Sequence, residues 1–330
     1  MKKALITGIG GQDGSYLAKL LLDKGYEVTG IVRNLNSVDD QKFKYLGITG
    51  RIKLLEVNLM DLSNILRVLG NGDYSEVYNL AAQSSVGLSF RQPIGTLEFN
   101  TISVANLLEA IRIADTKIKF YQASSSEMYG NVSRENLPVN ENSIFMPVSL
   151  YGISKASAHW ITNSYRKAYG IFASCGILFN HESVFREDNF VTKKIINTAV
   201  RISRGLADSL TLGNMDVRRD WGYAPDYVRA MWLMLQYKEP SDIVVCSGQA
   251  HSLTEFVETV FQTLDLDYKK YLKSDTKFYR PLDLQVVYGD NSKAKKCLGW
   301  EYSLSFEKLI EKLVDDEIQY LDWLAGAKEK

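Results

Sequence analysis

The segment ALITGIGGQDG, residues 4–14, joins a short apolar run to glycines at positions 8, 11 and 14. Glycines at this spacing, after a strand and before a helix, permit a sharp turn, close approach to a pyrophosphate and tight helix packing. The positive end of the helix then faces the negative charge. The segment therefore predicts a dinucleotide-binding turn. The expected cofactor contacts are Gly8, Gly11, Gln12, Asp13 and Gly14.

Short apolar runs alternate with amphipathic segments up to about residue 180. Strands that alternate with helices indicate βαβ units and hence a parallel sheet covered on both faces. The sequence predicts an α/β fold with a doubly wound parallel sheet, the Rossmann fold. Strands are expected in KALITGI, YEVTGIV, IKLLEVNL, EVYNLAA, KIKFYQASS and FASCGILF, and helices at 15–24, 61–70, 98–113 and 151–168.

The alternation becomes less regular in the second half of the chain. Residues 1–180 are expected to form the cofactor domain, with further strands contributed from about 205–250, such as DIVVCSG. Residues 181–330 are expected to form mainly a smaller α/β substrate lobe. Helices are predicted near 191–204, 226–237, 252–263 and 304–325.

Composition excludes several classes of function. Lysine plus arginine and aspartate plus glutamate both total 39 in 330 residues, so the net charge is zero and nucleic acid is not an expected partner. Three scattered cysteines form no metal or redox pair. No segment is apolar over the roughly 20 residues that a membrane span requires. These features predict a cytoplasmic protein that does not bind a membrane.

The exit of the second predicted strand bears on the choice of cofactor. A cofactor with a free ribose 2′-hydroxyl usually meets an acidic residue there. Here the strand ends at Arg33, and no acidic residue occurs before Asp39. A guanidinium fits a 2′-phosphate, so NADP is the predicted cofactor.

A tyrosine and a lysine lie four residues apart in YGISK, at the start of a predicted helix. This spacing places Tyr151 and Lys155 on one helix face. A nearby ammonium lowers the pKa of a phenol, which can then accept a proton from an alcohol whose carbon gives hydride to a nicotinamide. Tyr151 and Lys155 are therefore predicted catalytic residues, and both are expected to contact the cofactor.

Six motifs together resemble the extended short-chain dehydrogenase/reductases, and most closely the GDP-mannose 4,6-dehydratases. They are TGIGGQDGSYL, YNLAAQSSV, YQASSSEMYG, YGISK, GILFNHES and RDWGYAPDYV, and they cover nearly the whole chain. The resemblance implies that GDP-D-mannose becomes GDP-4-keto-6-deoxy-D-mannose, by hydride transfer from C4 to NADP⁺ and then to C6 with loss of water. It implies further that Glu127 is the base for C5 and that Ser125 binds the 4-oxygen. Serine stands where the family usually has threonine, a mild departure.

Binding residues carry over from the same resemblance. On the cofactor side it implies Asn58, in place of a usual aspartate, with Leu59, Leu80, Ala81 and Ala82. On the substrate side it implies Ser84, Glu127, Asn180, Lys194, Arg219 and Arg280. After FNHES the family commonly has a proline and two arginines that reach a neighbouring subunit, whereas this chain keeps only Arg186. The departure weakens the expectation of a homotetramer, and a homodimer with two helices per subunit packed side by side remains the minimum expectation.

Several alternatives remain open. A GDP-manno-heptose dehydratase would share every motif, because only the shape of the pocket at C6 distinguishes the two substrates. A sugar-nucleotide 4-epimerase needs no base for C5 and usually has a small apolar residue where Glu127 stands. Dehydratases of thymidine- or uridine-linked sugars usually have an aspartate where Ser126 stands. A non-catalytic NADP-binding module is expected to lack at least one of the catalytic residues.

Overall fold

The computed structural model describes residues 1–275 and 284–328. The strands are β1 (Lys3–Thr7), β2 (Glu27–Val32), β3 (Ile52–Glu56), β4 (Glu76–Asn79), β5 (Lys119–Ser125), β6 (Ala173–Leu178), β7 (Asn180–Glu182), β8 (Leu210–Leu212), β9 (Arg218–Arg219), β10 (Trp221–Tyr223), β11 (Asp242–Val245), β12 (His251–Ser252), β13 (Leu272–Ser274) and β14 (Val286–Val287). The helices are α1 (Gln12–Asp23), α2 (Gln41–Tyr45), α3 (Leu62–Gly70), α4 (Val86–Arg91), α5 (Pro93–Ala114), α6 (Leu150–Tyr169), α7 (Val191–Ser203), α8 (Ala224–Gln236), α9 (Leu253–Thr263), α10 (Ser292–Leu298) and α11 (Phe306–Lys328). Short 3₁₀ turns occur at Leu35–Ser37, Ser126–Met128, Arg134–Asn136 and Tyr268–Lys270.

The main sheet confirms the predicted doubly wound fold. Within the described ranges it has seven strands in the order β11-β6-β5-β4-β1-β2-β3, and every neighbouring pair is parallel. Strand order reverses between β1 and β4. In such sheets a crevice opens at this point, beyond the carboxyl ends of the strands, and ligands bind in it.

Both faces of the sheet are apolar because helices cover both. Along β1, Ala4 and Ile6 belong to the core shared with α1 and α8, whereas Leu5 belongs to the core shared with α3 and α5. The alternation follows from the two-residue period of a strand. Burial of each such aliphatic side chain contributes about 1.5–3 kcal/mol, so the sheet rigidly supports whatever its strand ends carry.

The C-terminal lobe has its own core, built by α7, α9 and α11. Phe256, Phe261, Leu309 and Ile310 are at most 1% exposed there. Short strands pair in the smaller sheets β10-β7, β12-β9-β14 and β13-β8. By contrast, β11 adds a strand to the edge of the main sheet. The second half of the chain therefore contributes both to the C-terminal lobe and to the main sheet.

Several helices differ from the sequence expectation, which includes neither α2 nor α10. Helix α5 begins at Pro93 rather than 98, because proline at the first helical turn loses no hydrogen bond. Helix α4 is not expected from the sequence either, because it is only six residues long and includes a glycine. It forms because the Ser85 hydroxyl caps it by accepting from the Leu88 backbone N–H at 3.2 Å. Among the described residues, no helix combines the length and apolar character needed to cross a bilayer.

Candidate active site

A cavity of about 1070 Å³ lies beyond the carboxyl ends of the strands, between the sheet and the C-terminal lobe. Most of the predicted site residues line it. They are Gly8, Gly11, Gln12, Asp13, Gly14, Arg33, Leu59, Leu80, Ala81, Ala82, Ser84, Ser125, Glu127, Tyr151, Lys155, Asn180, Lys194 and Arg219. Asn58 does not line the cavity, and Arg280 lies outside the described residues. The fold thus gathers segments from both halves of the chain around one space.

The glycine turn forms the floor of the cavity. Gly8 has a φ of +69°, and a Cβ there would lie 2.8 Å from the Ala81 backbone nitrogen. A Cβ on Gly14 would lie 2.3 Å from the Gly8 carbonyl oxygen, so helix α1 packs on the turn only because Gly14 lacks a side chain. A Cβ on Gly10 would meet no protein atom within 4 Å. The turn therefore has room for a pyrophosphate at the N-terminus of α1.

An acidic side chain in the first turn of α1 is neutralised by a histidine. His181 Nε2 lies 2.9 Å from Asp13 Oδ2, and His181 Nδ1 lies 2.7 Å from the Phe179 carbonyl oxygen. Burial alone would raise the pKa of Asp13, but the His181 charge holds that pKa below its ordinary value. Burial alone would lower the pKa of His181, but Asp13 holds it above its ordinary value. The pair is ionised, so Asp13 adds no net negative charge beside the phosphate position.

The adenosine end of the cavity differs in part from the sequence expectation. Asn58 is exposed, and its side-chain oxygen already accepts from the Met60 backbone N–H at 3.0 Å. Lys42, which the sequence reasoning missed, reaches from α2 and donates from Nζ to the Gly10 carbonyl oxygen at 2.9 Å. No local motif marks this contact, since it joins residues 32 positions apart. Arg33 lines the cavity directly beyond β2.

Helix α6 carries the predicted tyrosine and lysine into the cavity. The Ser149 hydroxyl caps the helix by accepting from the Gly152 backbone N–H at 3.0 Å. Gly152 allows close packing, because a Cβ there would lie 2.7 Å from the Glu127 carbonyl oxygen. Lys155 Nζ donates to the Ala123 carbonyl oxygen at 2.8 Å and lies 5.8 Å from the centroid of the Tyr151 ring. The start of α6 is thereby fixed against the end of β5.

Burial dominates the protonation of both side chains. It raises the pKa of Tyr151 to about 12, although a hydrogen bond from Ser125 favours the phenolate. It lowers the pKa of Lys155 to about 8. The pKa of Tyr151 is therefore raised, whereas the sequence predicts that Lys155 lowers it. The low lysine pKa shows instead how strongly this site resists a buried positive charge.

Glu127 and Ser125 lie at the exit of β5. The Ser125 hydroxyl accepts from the Glu127 backbone N–H at 3.2 Å and so caps the 3₁₀ turn at Ser126–Met128. Glu127 is half-buried, and its carboxylate is close enough to Tyr151 to raise the pKa of the phenol. A hydroxyl, a phenol and a carboxylate therefore face one small volume of the cavity.

Cationic side chains from the lobe face the other side of the cavity. Arg219, in β9, donates from Nη1 to the Leu284 carbonyl oxygen at 2.7 Å. Lys194 lies in the first turn of α7, and burial lowers its pKa. Arg186, the single arginine left after FNHES, lines this chain's own cavity, with its guanidinium 3.7 Å from the Phe190 ring centroid. Together with Asn180, these groups suit an anionic ligand.

A doubly wound sheet with a glycine turn at its switch point, faced by serine, tyrosine and lysine, defines a nicotinamide-dependent enzyme of the extended short-chain dehydrogenase/reductase class. Within this class the chain belongs to the GDP-mannose 4,6-dehydratase family, whose model matches residues 5–313. It is 44% identical to GDP-mannose 4,6 dehydratase 2 of Arabidopsis thaliana, over 96% of this chain and 87% of that one.

Similarity extends to a bacterial relative and to a solved structure. The chain is 41% identical to the GDP-mannose 4,6-dehydratase of Vibrio cholerae, over 96% of this chain and 94% of the other. The structure of UDP-glucose 4-epimerase from Thermotoga maritima, with UDP-glucose, is similar with a TM-score of 0.85 at 25% identity, covering 97% of this chain and 99% of that one. The epimerase shares the fold, so the chemistry must be decided by side chains in the cavity.

Proposed function

We propose that the protein converts GDP-D-mannose to GDP-4-keto-6-deoxy-D-mannose, with NADP as the cofactor. The observation that carries this proposal is the position of Glu127, beside Ser125 and Tyr151 in a cavity continuous with the glycine turn. A 4-epimerase has no use for a carboxylate at this place, whereas a dehydratase needs a base for C5.

The residues of α6 and β5 begin the reaction. A bound nicotinamide would supply a reversible acceptor for the hydride that moves from C4 to C6, and its oxidised form would add a positive charge that favours the Tyr151 phenolate. Tyr151 accepts the proton of the sugar 4-hydroxyl, and the Ser125 hydroxyl donates a hydrogen bond to the same oxygen. Protonated Lys155 stabilises the phenolate.

Glu127 performs the elimination. Oxidation at C4 makes the C5 proton acidic, and the Glu127 carboxylate removes it. The same carboxyl group then gives this proton to the 6-hydroxyl, which leaves as water. We assign both proton transfers to Glu127 because Ser126, rather than an aspartate, precedes it. This position therefore offers no second carboxyl group. As hydride returns to C6, a proton returns to C5 through Glu127. It replaces the proton that Tyr151 took from the 4-hydroxyl and releases again, so substrate and product differ by one water and the cofactor ends as it began.

The preference for NADP over NAD rests on Arg33. It lines the cavity directly beyond β2, where an NAD-dependent enzyme usually has an acidic residue. An arginine there can bind a 2′-phosphate through two donors. On the substrate side, Asn180, Lys194 and Arg219 would hold the nucleotide diphosphate, and Ser84 would contact the sugar.

The proposed assembly is a homodimer formed through α5 and α6. These helices pack side by side, and apolar side chains on both are solvent-exposed: Ile94, Ile102, Ile153 and Trp160. Such a patch is typical of an association surface. A sedimentation experiment tests it, since Ile102→Glu should yield monomers if this face is the interface.

We also propose that the protein is located in the cytoplasm. Its three free cysteines fit that reducing compartment.

The substrate is tested by incubating the purified protein and NADP⁺ separately with GDP-mannose, a GDP-manno-heptose and UDP-glucose. We expect GDP-mannose to give a product lighter by one water, without net formation of NADPH. A clear preference for the heptose would change the substrate but keep the reaction. A product of unchanged mass, or reaction with UDP-glucose alone, would overturn the proposal.

A further inference from the structure

Helix α6 meets strand β5 through three side chains that are spaced four residues apart. Tyr151, Lys155 and His159 share one face of the helix. Each faces a group on β5. Ser125 is close enough to Tyr151 to lower the pKa of the phenol, Lys155 Nζ donates to the Ala123 carbonyl oxygen at 2.8 Å, and His159 Nδ1 lies 3.0 Å from Ser124 Oγ. The reaction uses the first two of these contacts. The third, between two buried side chains, has no assigned role.

His159 also faces a strand farther along the sheet. Its Nε2 lies 3.6 Å from Asp242 Oδ2 on β11, and Arg166 Nη2 donates to Asp242 Oδ1 at 2.5 Å. Arg166, farther along α6, donates in addition to the Ala173 carbonyl oxygen on β6 at 2.6 Å. These contacts tie α6 to β5, β6 and β11 together.

This cluster is a hydrogen-bonded bridge rather than a metal site. His159, Cys175 and Asp242 place their donor atoms within 4.8 Å of one another. However, the Arg166 guanidinium already binds the carboxylate, and burial raises the pKa of the Cys175 thiol well above its ordinary value. A neutral thiol is a poor metal ligand. Burial also lowers the pKa of His159, despite Asp242, so its imidazole is neutral at neutral pH.

We propose that His159 is a positioning residue for the reaction. Through Ser124, the residue directly before Ser125, it holds the exit of β5 against α6. Loss of this bond removes one of the contacts that fix the exit of β5 against α6, so Ser125 and Tyr151 are held less accurately at the sugar 4-oxygen. His159 lies behind the strand and does not line the cavity. Its loss should therefore lower kcat and leave substrate and cofactor binding unchanged. This inference rests on the proposed function.

A double-mutant cycle tests the bridge. We expect His159→Leu and Ser124→Ala each to lower kcat about tenfold, with KM for GDP-mannose within about twofold, because small misplacements of catalytic groups are costly. The double variant should be no slower than either single variant, since both remove one bond. His159→Asn, whose amide can still bond to Ser124, should recover most of the rate. Thr162→Val removes another buried hydroxyl of α6 and should leave kcat unchanged.

Amide hydrogen exchange supplies a readout that does not depend on turnover. Residues 120–128 should exchange faster in His159→Leu and Ser124→Ala than in the wild type or in Thr162→Val. If the leucine variant does not fold, Ser124→Ala carries the test, because it removes only one hydroxyl. Wild-type kcat and wild-type exchange in Ser124→Ala would overturn the bridge. Absence of dehydratase activity in the wild-type protein would overturn the proposed function instead, and exchange would still test the bridge.

Discussion

Replacement of Lys155 by methionine should stabilise the cofactor-free protein while abolishing its activity. Burial lowers the pKa of Lys155 from 10.5 to about 8, and each pKa unit corresponds to about 1.4 kcal/mol, so the lysine costs about 3 kcal/mol of stability at neutral pH. Methionine removes this cost but leaves the Ala123 carbonyl oxygen without its donor, a loss of about 1–2 kcal/mol. The net gain should be about 1–2 kcal/mol.

The lowered pKa of Lys155 also determines how the stability difference between the two proteins changes with pH. Between pH values of about 8 and 10.5 the unfolded chain binds more protons at Lys155 than the folded protein does, so wild-type stability rises with pH across this window. The advantage of the methionine variant should therefore be constant below about pH 8, shrink as pH rises and reverse between about pH 9 and 10, where the remaining cost of the lysine equals the lost hydrogen bond. Denaturant titrations at several pH values measure it. Lys155→Arg, which stays charged, should gain nothing. A methionine variant less stable than wild type at neutral pH, or a difference independent of pH, would refute the reasoning.

Three other substitutions test separate parts of the site. Glu127→Gln should slow water loss by about 100-fold or more, since an amide cannot act as the base. The affinity for NADP⁺, measured by fluorescence, should stay within about twofold. Glu135→Gln, on an exposed turn, is the control. Arg33→Ser should weaken NADP⁺ binding by about tenfold or more, as expected for loss of a charged contact, and should leave NAD⁺ binding unchanged. Arg51→Ser, at an exposed position, is the control and should alter neither affinity. Gly14→Ala should destabilise the fold and abolish cofactor binding, because its Cβ would lie 2.3 Å from a backbone oxygen, while Gly70→Ala, with open space around it, should be neutral or slightly stabilising. Equal cofactor affinities in Gly14→Ala and Gly70→Ala would contradict the assigned role of the turn.

The fold could be predicted because its determinants are local. The two-residue alternation in strands such as β1, and the glycines at 8, 11 and 14, report directly on burial and backbone geometry. Tyr151 and Lys155 were predicted from their four-residue spacing on one helix, whereas Ser125 and Glu127 were implied by the family resemblance of the motif at the end of β5.

Other features of the site depend on contacts that no local pattern marks. Asp13 and His181 form their ion pair across 168 positions of sequence, and Lys42 meets the glycine turn from a separate helix. Asn58 does not line the cavity, and its side-chain oxygen accepts from the nearby Met60 backbone N–H, so its contact with the adenine stays a prediction. The pKa of Tyr151 could not be predicted either, because it depends on burial that only the folded chain creates.

The most direct test of the central claim follows the hydrogen at C4 of the sugar. GDP-mannose that carries deuterium at C4 should give a product that is lighter by one water and retains the deuterium at C6, with no NADPH left at the end. Mass spectrometry and NMR of the isolated product would locate the label. Deuterium that remains at C4, is lost to solvent or accumulates on the cofactor would contradict an internal transfer from C4 to C6.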